Sequence, residues 1–131
     1  MIINTPISLG ELLDKISILK IKKKNINDKN KLIFINDELK LLDGVLSDLN
    51  MISAKQKKIE NFLNQLVEVN SKLWKIEDDI RDCERHKSFG ENFIELARSV
   101  YFTNDKRSKI KLEINFLLNS NLVEEKSYKE Y

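Results

Sequence analysis

From Ile59 to Cys83 the apolar residues Ile59, Phe62, Leu66, Val69, Leu73, Ile76, Ile80 and Cys83 recur at alternating three- and four-residue steps without a miss. Only an α-helix brings such positions onto one stripe, and a stripe this regular must be covered by another helix. Leu63, Val67 and Trp74 widen it. A second run, Phe93, Leu96, Val100, Thr103, Arg107, Ile110, Ile114 and Leu117, keeps the same register, with two polar members near its middle. Between them Ser88-Phe89-Gly90-Glu91 has the S-x-x-E form of a capping box. The spacing predicts a long antiparallel hairpin of coiled-coil character, with helices over 54–87 and 91–118.

Two shorter helices are expected ahead of it. Ser8-Leu9-Gly10-Glu11 is another capping box, followed by Leu9, Leu12 or Leu13, Ile16 and Leu19 on one face, which fades into the basic stretch Lys20 to Lys24. This places a helix over 8–25. Asn27-Asp28 supplies the next cap, and Leu32, Ile35, Leu39, Leu42, Leu46 and Leu49 carry a helix over 29–49. Gly44 inside it costs about 1 kcal/mol relative to Ala and marks a close helix contact or a bend. Asn50 to Ser53 reads as a polar connection with Ser53 as the next cap. Residues 1–7 form an extended arm against the bundle, and 119–131 a charged tail that docks through Leu122, Val123 and the tyrosines. The expected fold class is all-α, a single-domain antiparallel bundle of about four helices over 1–131.

The 131 residues suffice for one core without disulfides, and Cys83 and His86 stand alone in their residue types. A Cys/His zinc site and a Ser-His-Asp site are thus poorly supported, and Cys83, on the seam, reads as a buried small hydrophobe. Met1-Ile-Ile-Asn-Thr-Pro-Ile7 lacks the basic and apolar regions of a signal peptide, and no apolar run approaches the ~20 residues of a membrane span. The expected location is the cytoplasm, with no membrane partner. A net charge of +2 implies no nucleic-acid footprint. The runs Lys20, Lys22, Lys23, Lys24 and Lys55, Lys57, Lys58 lack aromatic interleaving and read as solvated faces.

The arginines are more informative. All four, Arg81, Arg85, Arg98 and Arg107, fall between residues 81 and 107 of a lysine-rich chain. Guanidinium offers a planar fork for carboxylate or phosphate that lysine lacks. If the hairpin turns near residue 88, opposite residues have numbers summing to about 177. Asp79 then faces Arg98, and Asn70 faces Arg107. Asp78, Asp79, Arg81, Asp82 and Glu84 lie across from Arg98, Tyr101, Asn104 and Asp105, beside the stretch where Thr103 and Arg107 interrupt the seam, while the first helix adds Glu11, Asp14 and Lys15 on a neighbouring face. The resulting mixed-charge cluster is either a set of register-setting ion pairs, such as Asp78–Arg81 and Asp79–Arg98, or a binding site built on Arg98 and Arg107.

Three stretches carry a family resemblance: Ser8-Leu-Gly-Glu-Leu-Leu-Asp-Lys-Ile-Ser-Ile-Leu-Lys-Ile-Lys22, Leu73-Trp-Lys-Ile-Glu-Asp-Asp-Ile-Arg81, and Phe93-Ile-Glu-Leu-Ala-Arg-Ser-Val-Tyr-Phe-Thr-Asn-Asp-Lys-Arg107 running on through Lys111, Asn115 and Glu124-Glu-Lys-Ser-Tyr128. Together they resemble the uncharacterised bacterial and phage domain-of-unknown-function family 6165. The resemblance implies a stand-alone domain, and that Asp14, Lys15, Trp74, Glu77, Asp78, Arg81, Arg98, Tyr101, Asn104, Asp105 and Arg107 belong to its pattern. Residues 26–65 fall mostly outside it.

No motif commits the chain to a reaction. The function expected is a non-enzymatic binding or adaptor bundle that self-associates or meets a protein partner, without a cofactor. The alternative is a magnesium-dependent nucleotide or phosphosugar-binding bundle, in which Arg98 and Arg107 meet phosphate and Glu77 or Asp78 holds the metal. Glu91 with Glu95 lacks the E-x-x-D form such bundles would show.

Overall fold

The computed structural model describes residues 1–49 and 52–131. Four helices, α1 (Leu9–Asn25), α2 (Lys29–Ser47), α3 (Ile52–Arg85) and α4 (Glu91–Leu117), make an all-α bundle with no strand among the described residues. None of them is long and apolar enough to cross a membrane. Their ends lie within two residues of the expected bounds. Asn50 and Met51, inside the expected polar connection, lie outside the described residues, and Ser53 already belongs to the first turn of α3.

The start of α1 is held by acceptors near and far in sequence. The N–H groups of a helix's N-cap and first three residues lack intrahelical acceptors. Here the Ser8 hydroxyl accepts from Glu11 N at 3.1 Å, and Leu9 N and Gly10 N donate to Ser120 Oγ at 3.1 Å and Asn115 Oδ1 at 2.8 Å. Two of these three acceptors thus come from the far end of the chain. At the start of α2 the Asp28 carboxylate accepts from Lys31 N at 3.0 Å, as its position suggested.

The hairpin turn differs from expectation. Gly90, not Ser88, is the N-cap of α4, with no side-chain cap bond. Ser88 instead closes α3, its N–H donating to Cys83 O at 2.9 Å across Lys87, which sits at φ 53°. That is the left-handed closure that satisfies terminal carbonyls, and it leaves Ser88 too early to cap α4. α4 ends the same way, with Asn119 at φ 54° and Ser120 N donating to Asn115 O at 2.8 Å. This closure also carries the Ser120 hydroxyl to Leu9.

α1 is the hub, packed against each of the other helices, whereas α2 rests chiefly on α1. The core joins Leu9, Leu12, Leu13, Ile16 and Leu19 of α1 to Ile35 and Leu39 of α2, Ile59, Phe62, Leu66 and Val69 of α3, and Ile114 and Leu118. The last apolar seam position is therefore Leu118, fully buried, while Leu117 is exposed. A four-residue step from Ile114 keeps the stripe facing α1, where a strict heptad would drift off it.

The core occupies only the end of the hairpin remote from its turn. Between Ser71 and Ile110 Cys83 alone is buried, and the seam residues Leu73, Ile76, Ile80, Phe93, Leu96 and Val100 are half buried. The molecule thus has a four-helix body and a two-helix arm. Residues 1–3 are highly exposed, so of the N-terminal arm only Thr5 to Ile7 approach the bundle, beside Val45, Leu49 and Leu118.

Candidate functional site

The body is organised around a buried carboxylate. Gly10, Asp14 and Ser17 share one face of α1, and Arg107, Lys111 and Asn115 follow at four-residue steps on one face of α4. Where the faces meet, Asp14 is completely buried. Its Oδ1 accepts from Arg107 Nε at 3.0 Å and from Asn70 Nδ2 at 2.8 Å, and its Oδ2 accepts from Arg107 Nη2. The same Asn70 nitrogen donates to Ser17 Oγ at 2.8 Å, and the Ser17 hydroxyl donates to the Asp14 carbonyl at 2.7 Å.

Lys111 extends the network, with its ammonium 3.9 Å from Asp14 Oδ2, 2.7 Å from Glu11 Oε2 and 2.6 Å from Glu124 Oε2. One lysine on α4 thereby ties α1 to the C-terminal tail. Burial works to lower its pKa, but bonds to Glu11 and Glu124 and the charge of Asp14 outweigh it and hold the amine above its ordinary value. The Asp14 hydrogen bond likewise raises the Arg107 guanidinium. The Lys111 hydrogen bond holds the Glu124 carboxyl below the usual carboxylate value. Removing one partner from such a buried set costs about 3–5 kcal/mol, because the remaining charge is left uncompensated.

Close helix approach permits this geometry. A Cβ on Gly10 would stand 2.6 Å from Lys111 O and 3.0 Å from Asn115 Oδ1. The glycine expected to mark a close contact, Gly44, has nothing within 4 Å. Asn115 accepts from Gly10, but its Nδ2 is buried without an acceptor among the described residues, a cost of about 1–3 kcal/mol set against the network it helps to align.

The expected charged cluster divides. Asp14 and Arg107 form the centre, and Asn70 does lie level with Arg107, both reaching Asp14. Asp79 does not face Arg98. It pairs with Lys75 at 3.0 Å, while Arg98 pairs with Glu95 at 3.0 Å on its own helix. Arg81 bonds Glu77 at 3.4 Å rather than Asp78. Arg85 pairs with Asp82 at 3.6 Å, and Lys15 lies 3.9 Å from Glu11. A summed residue number gives the level along a hairpin, not the side a residue points to, and these side chains point to solvent. Each has found the nearest opposite charge one turn away, a contact worth about 0.3–0.5 kcal/mol.

Several members also line two open sites. Trp74, Glu77, Asp78 and Arg81 face Ile18 and Ile21 across a groove of about 480 Å³ between α1 and α3. Tyr101, Asn104, Asp105 and Arg107 line a cavity of about 1070 Å³ under Lys126, Tyr128 and Tyr131 of the tail. The Tyr131 hydroxyl donates to Asp105 Oδ2, which pushes its pKa up to about 12. Val123 is half buried, whereas Leu122 and Tyr128 are exposed, so the tail docks through Val123, Glu124 and Tyr131 rather than through all its apolar residues.

Ser17, Asn70, Lys111 and Glu124 complete the centre and are missing from the sequence-based set. The available signal was Gly10 and Ser17, small residues flanking Asp14 on one face as they do where helices approach closely. Chemically, the centre is a lock. Asp14 gives both oxygens to donors of this chain. His86 Nδ1 lies 2.8 Å from Asp82 O, and Cys83 Sγ accepts from Asn92 at 3.9 Å. Among the described residues no three His, Cys, Asp or Glu side chains gather as metal ligands would. Comparison of the chain with family models, curated proteins and solved structures finds no match.

Proposed function

We propose that the chain is a non-enzymatic, cytoplasmic binding or adaptor bundle that works as a homo-oligomer, with a locked body and an arm of coiled-coil character that meets a second copy. Membership of family 6165, resting on the three quoted stretches, is part of the same proposal.

One observation carries it. Along the hairpin from Ser71 to Ile110, which includes the arm, only Cys83 is buried, and Phe89, Ile94, Tyr101 and Phe102 are exposed. A two-helix ribbon has no further layer over its open sides, and helices from a second copy cover the apolar residues exposed there. Sedimentation at low micromolar concentration is expected to show an assembly of two or more copies; monomer alone would remove the oligomer.

The magnesium alternative requires Arg98 and Arg107 with Glu77 or Asp78 at one place. Arg107 lines the cavity under the tail, Glu77 and Asp78 line the groove between α1 and α3, and Arg98 lines neither. In a thermal-shift series against nucleotides and sugar phosphates with magnesium, no stabilisation is expected.

A further inference from the structure

Opposite its seam toward α3, α4 carries a second stripe: Glu91, Ile94, Arg98, Tyr101, Asp105, Ser108 and Leu112, again at alternating three- and four-residue steps. The two stripes are offset by two residues, which places them on opposite sides of a helix. From Glu91 to Asp105 every member is exposed; Ser108 and Leu112 are half buried. Glu95, Phe102 and Lys109 flank the stripe and are exposed with it.

The charges in the middle of this face are antisymmetric about its aromatic centre, Tyr101-Phe102. Reading outward, Arg98 on one side answers Asp105 on the other, and Glu95 answers Lys109. The pattern stops there, because the next level sets Glu91 against Leu112 and Glu113. From these residues we infer that α4 pairs antiparallel with α4 of a second copy about a two-fold axis near Tyr101 and Phe102. This inference rests on the homo-oligomer proposed above. Two-fold symmetry places each contact twice, so Arg98 meets the second copy's Asp105, and Glu95 its Lys109, on both sides of the axis. A parallel pairing would set Arg98 against Arg98 and Asp105 against Asp105, so the pattern also selects the antiparallel arrangement.

The local geometry leaves the required groups available. Arg98 uses Nη1 on Glu95 Oε1, with Tyr101 a further neighbour of the guanidinium and the Phe102 ring centroid 5.9 Å away, while Glu95 keeps Oε2; Asp105 uses Oδ2 on Tyr131 and keeps Oδ1. At the centre the Tyr131 ring packs 5.2 Å from Tyr101 and 4.8 Å from Phe102, so each copy brings three aromatic rings to the axis. Aromatic side chains of this kind carry much of the energy of interface centres.

The test is a charge exchange in the full chain, read by sedimentation across a concentration series. R98D and D105R should each weaken the dimer more than about tenfold, since either sets like charges together twice. The double variant R98D/D105R should restore it. An equimolar mixture of the two single variants should form a heterodimer, because each then supplies what the other lacks. Tyr131→Phe, which removes the Asp105 bond without changing charge, should keep dimerisation within about threefold of the original. Single variants that dimerise normally, a mixture that stays monomeric, or a Tyr131→Phe effect as large as that of D105R would each overturn this pairing while leaving self-association standing. An unsubstituted chain that is monomeric throughout would overturn self-association itself.

Discussion

The body and the arm are built from similar charged residues put to opposite uses. In the body Asp14 and Lys111 are taken out of water and fixed by several partners each, and the half-buried Arg107 holds Asp14 through two of its nitrogens. In the arm Glu77–Arg81, Asp82–Arg85 and Glu95–Arg98 are exposed neighbours on single helices. The first arrangement specifies how α1, α3 and α4 meet; the second leaves charges free to face another molecule. Arginine clustering in the sequence therefore marks two roles, of which only Arg107 belongs to the interior.

The sharpest contrast comes from deleting one charge in each region. Asp14→Ala strands Arg107, whose only ion-pair partner among the described residues it removes, and is expected to cost about 3–5 kcal/mol in denaturant unfolding followed by Trp74 fluorescence. Arg98→Lys, at an exposed one-turn pair, is expected to change stability by less than about 0.5 kcal/mol in the same assay. Comparable losses at both sites would erase the distinction.

Glycine gives a smaller contrast of opposite sign. Gly10→Ala drives a methyl group into the Lys111 carbonyl and is expected to cost about 1–3 kcal/mol, the usual range for overpacking. Gly44→Ala enters open space on α2 and is expected to stabilise by up to about 1 kcal/mol. Thermal unfolding of the two variants should move in opposite directions.

The smallest expected effect is docking of the tail. Glu124 is held below its ordinary 4.5, so its bond to Lys111 contributes above that value and is lost as pH falls through the lowered one. Lys111 is held above 10.5, so its contribution is present below that value and lost as pH rises through the raised one. Amide shifts of Val123 to Lys126 should stay constant between about pH 5 and about pH 10 and change outside that window. A change centred near neutrality would contradict the assignment.

The helices were legible because apolar periodicity and the Ser8 and Asp28 caps are local signals. What was not legible required knowing which sides meet. Ser88 has the letters of a cap, yet the left-handed Lys87 spends it on closing α3. Gly44 draws notice as a mid-helix glycine, while Gly10, hidden inside a capping box, makes the close approach. The Asp79–Arg98 pairing failed for the same reason: sequence gives level along a hairpin, but orientation follows from α1 lying across it. Asp14 belonged to the expected set, but its burial depends on Asn70, which is 56 residues away in sequence.

A double-mutant cycle on Asp14 and Arg107, set beside one on Glu77 and Arg81, measures the proposed division directly. Alanine cycles are expected to give a coupling above about 1.5 kcal/mol for the first pair and below about 0.5 kcal/mol for the second. Equal couplings, or a weak one between Asp14 and Arg107, would contradict a body locked by its buried carboxylate.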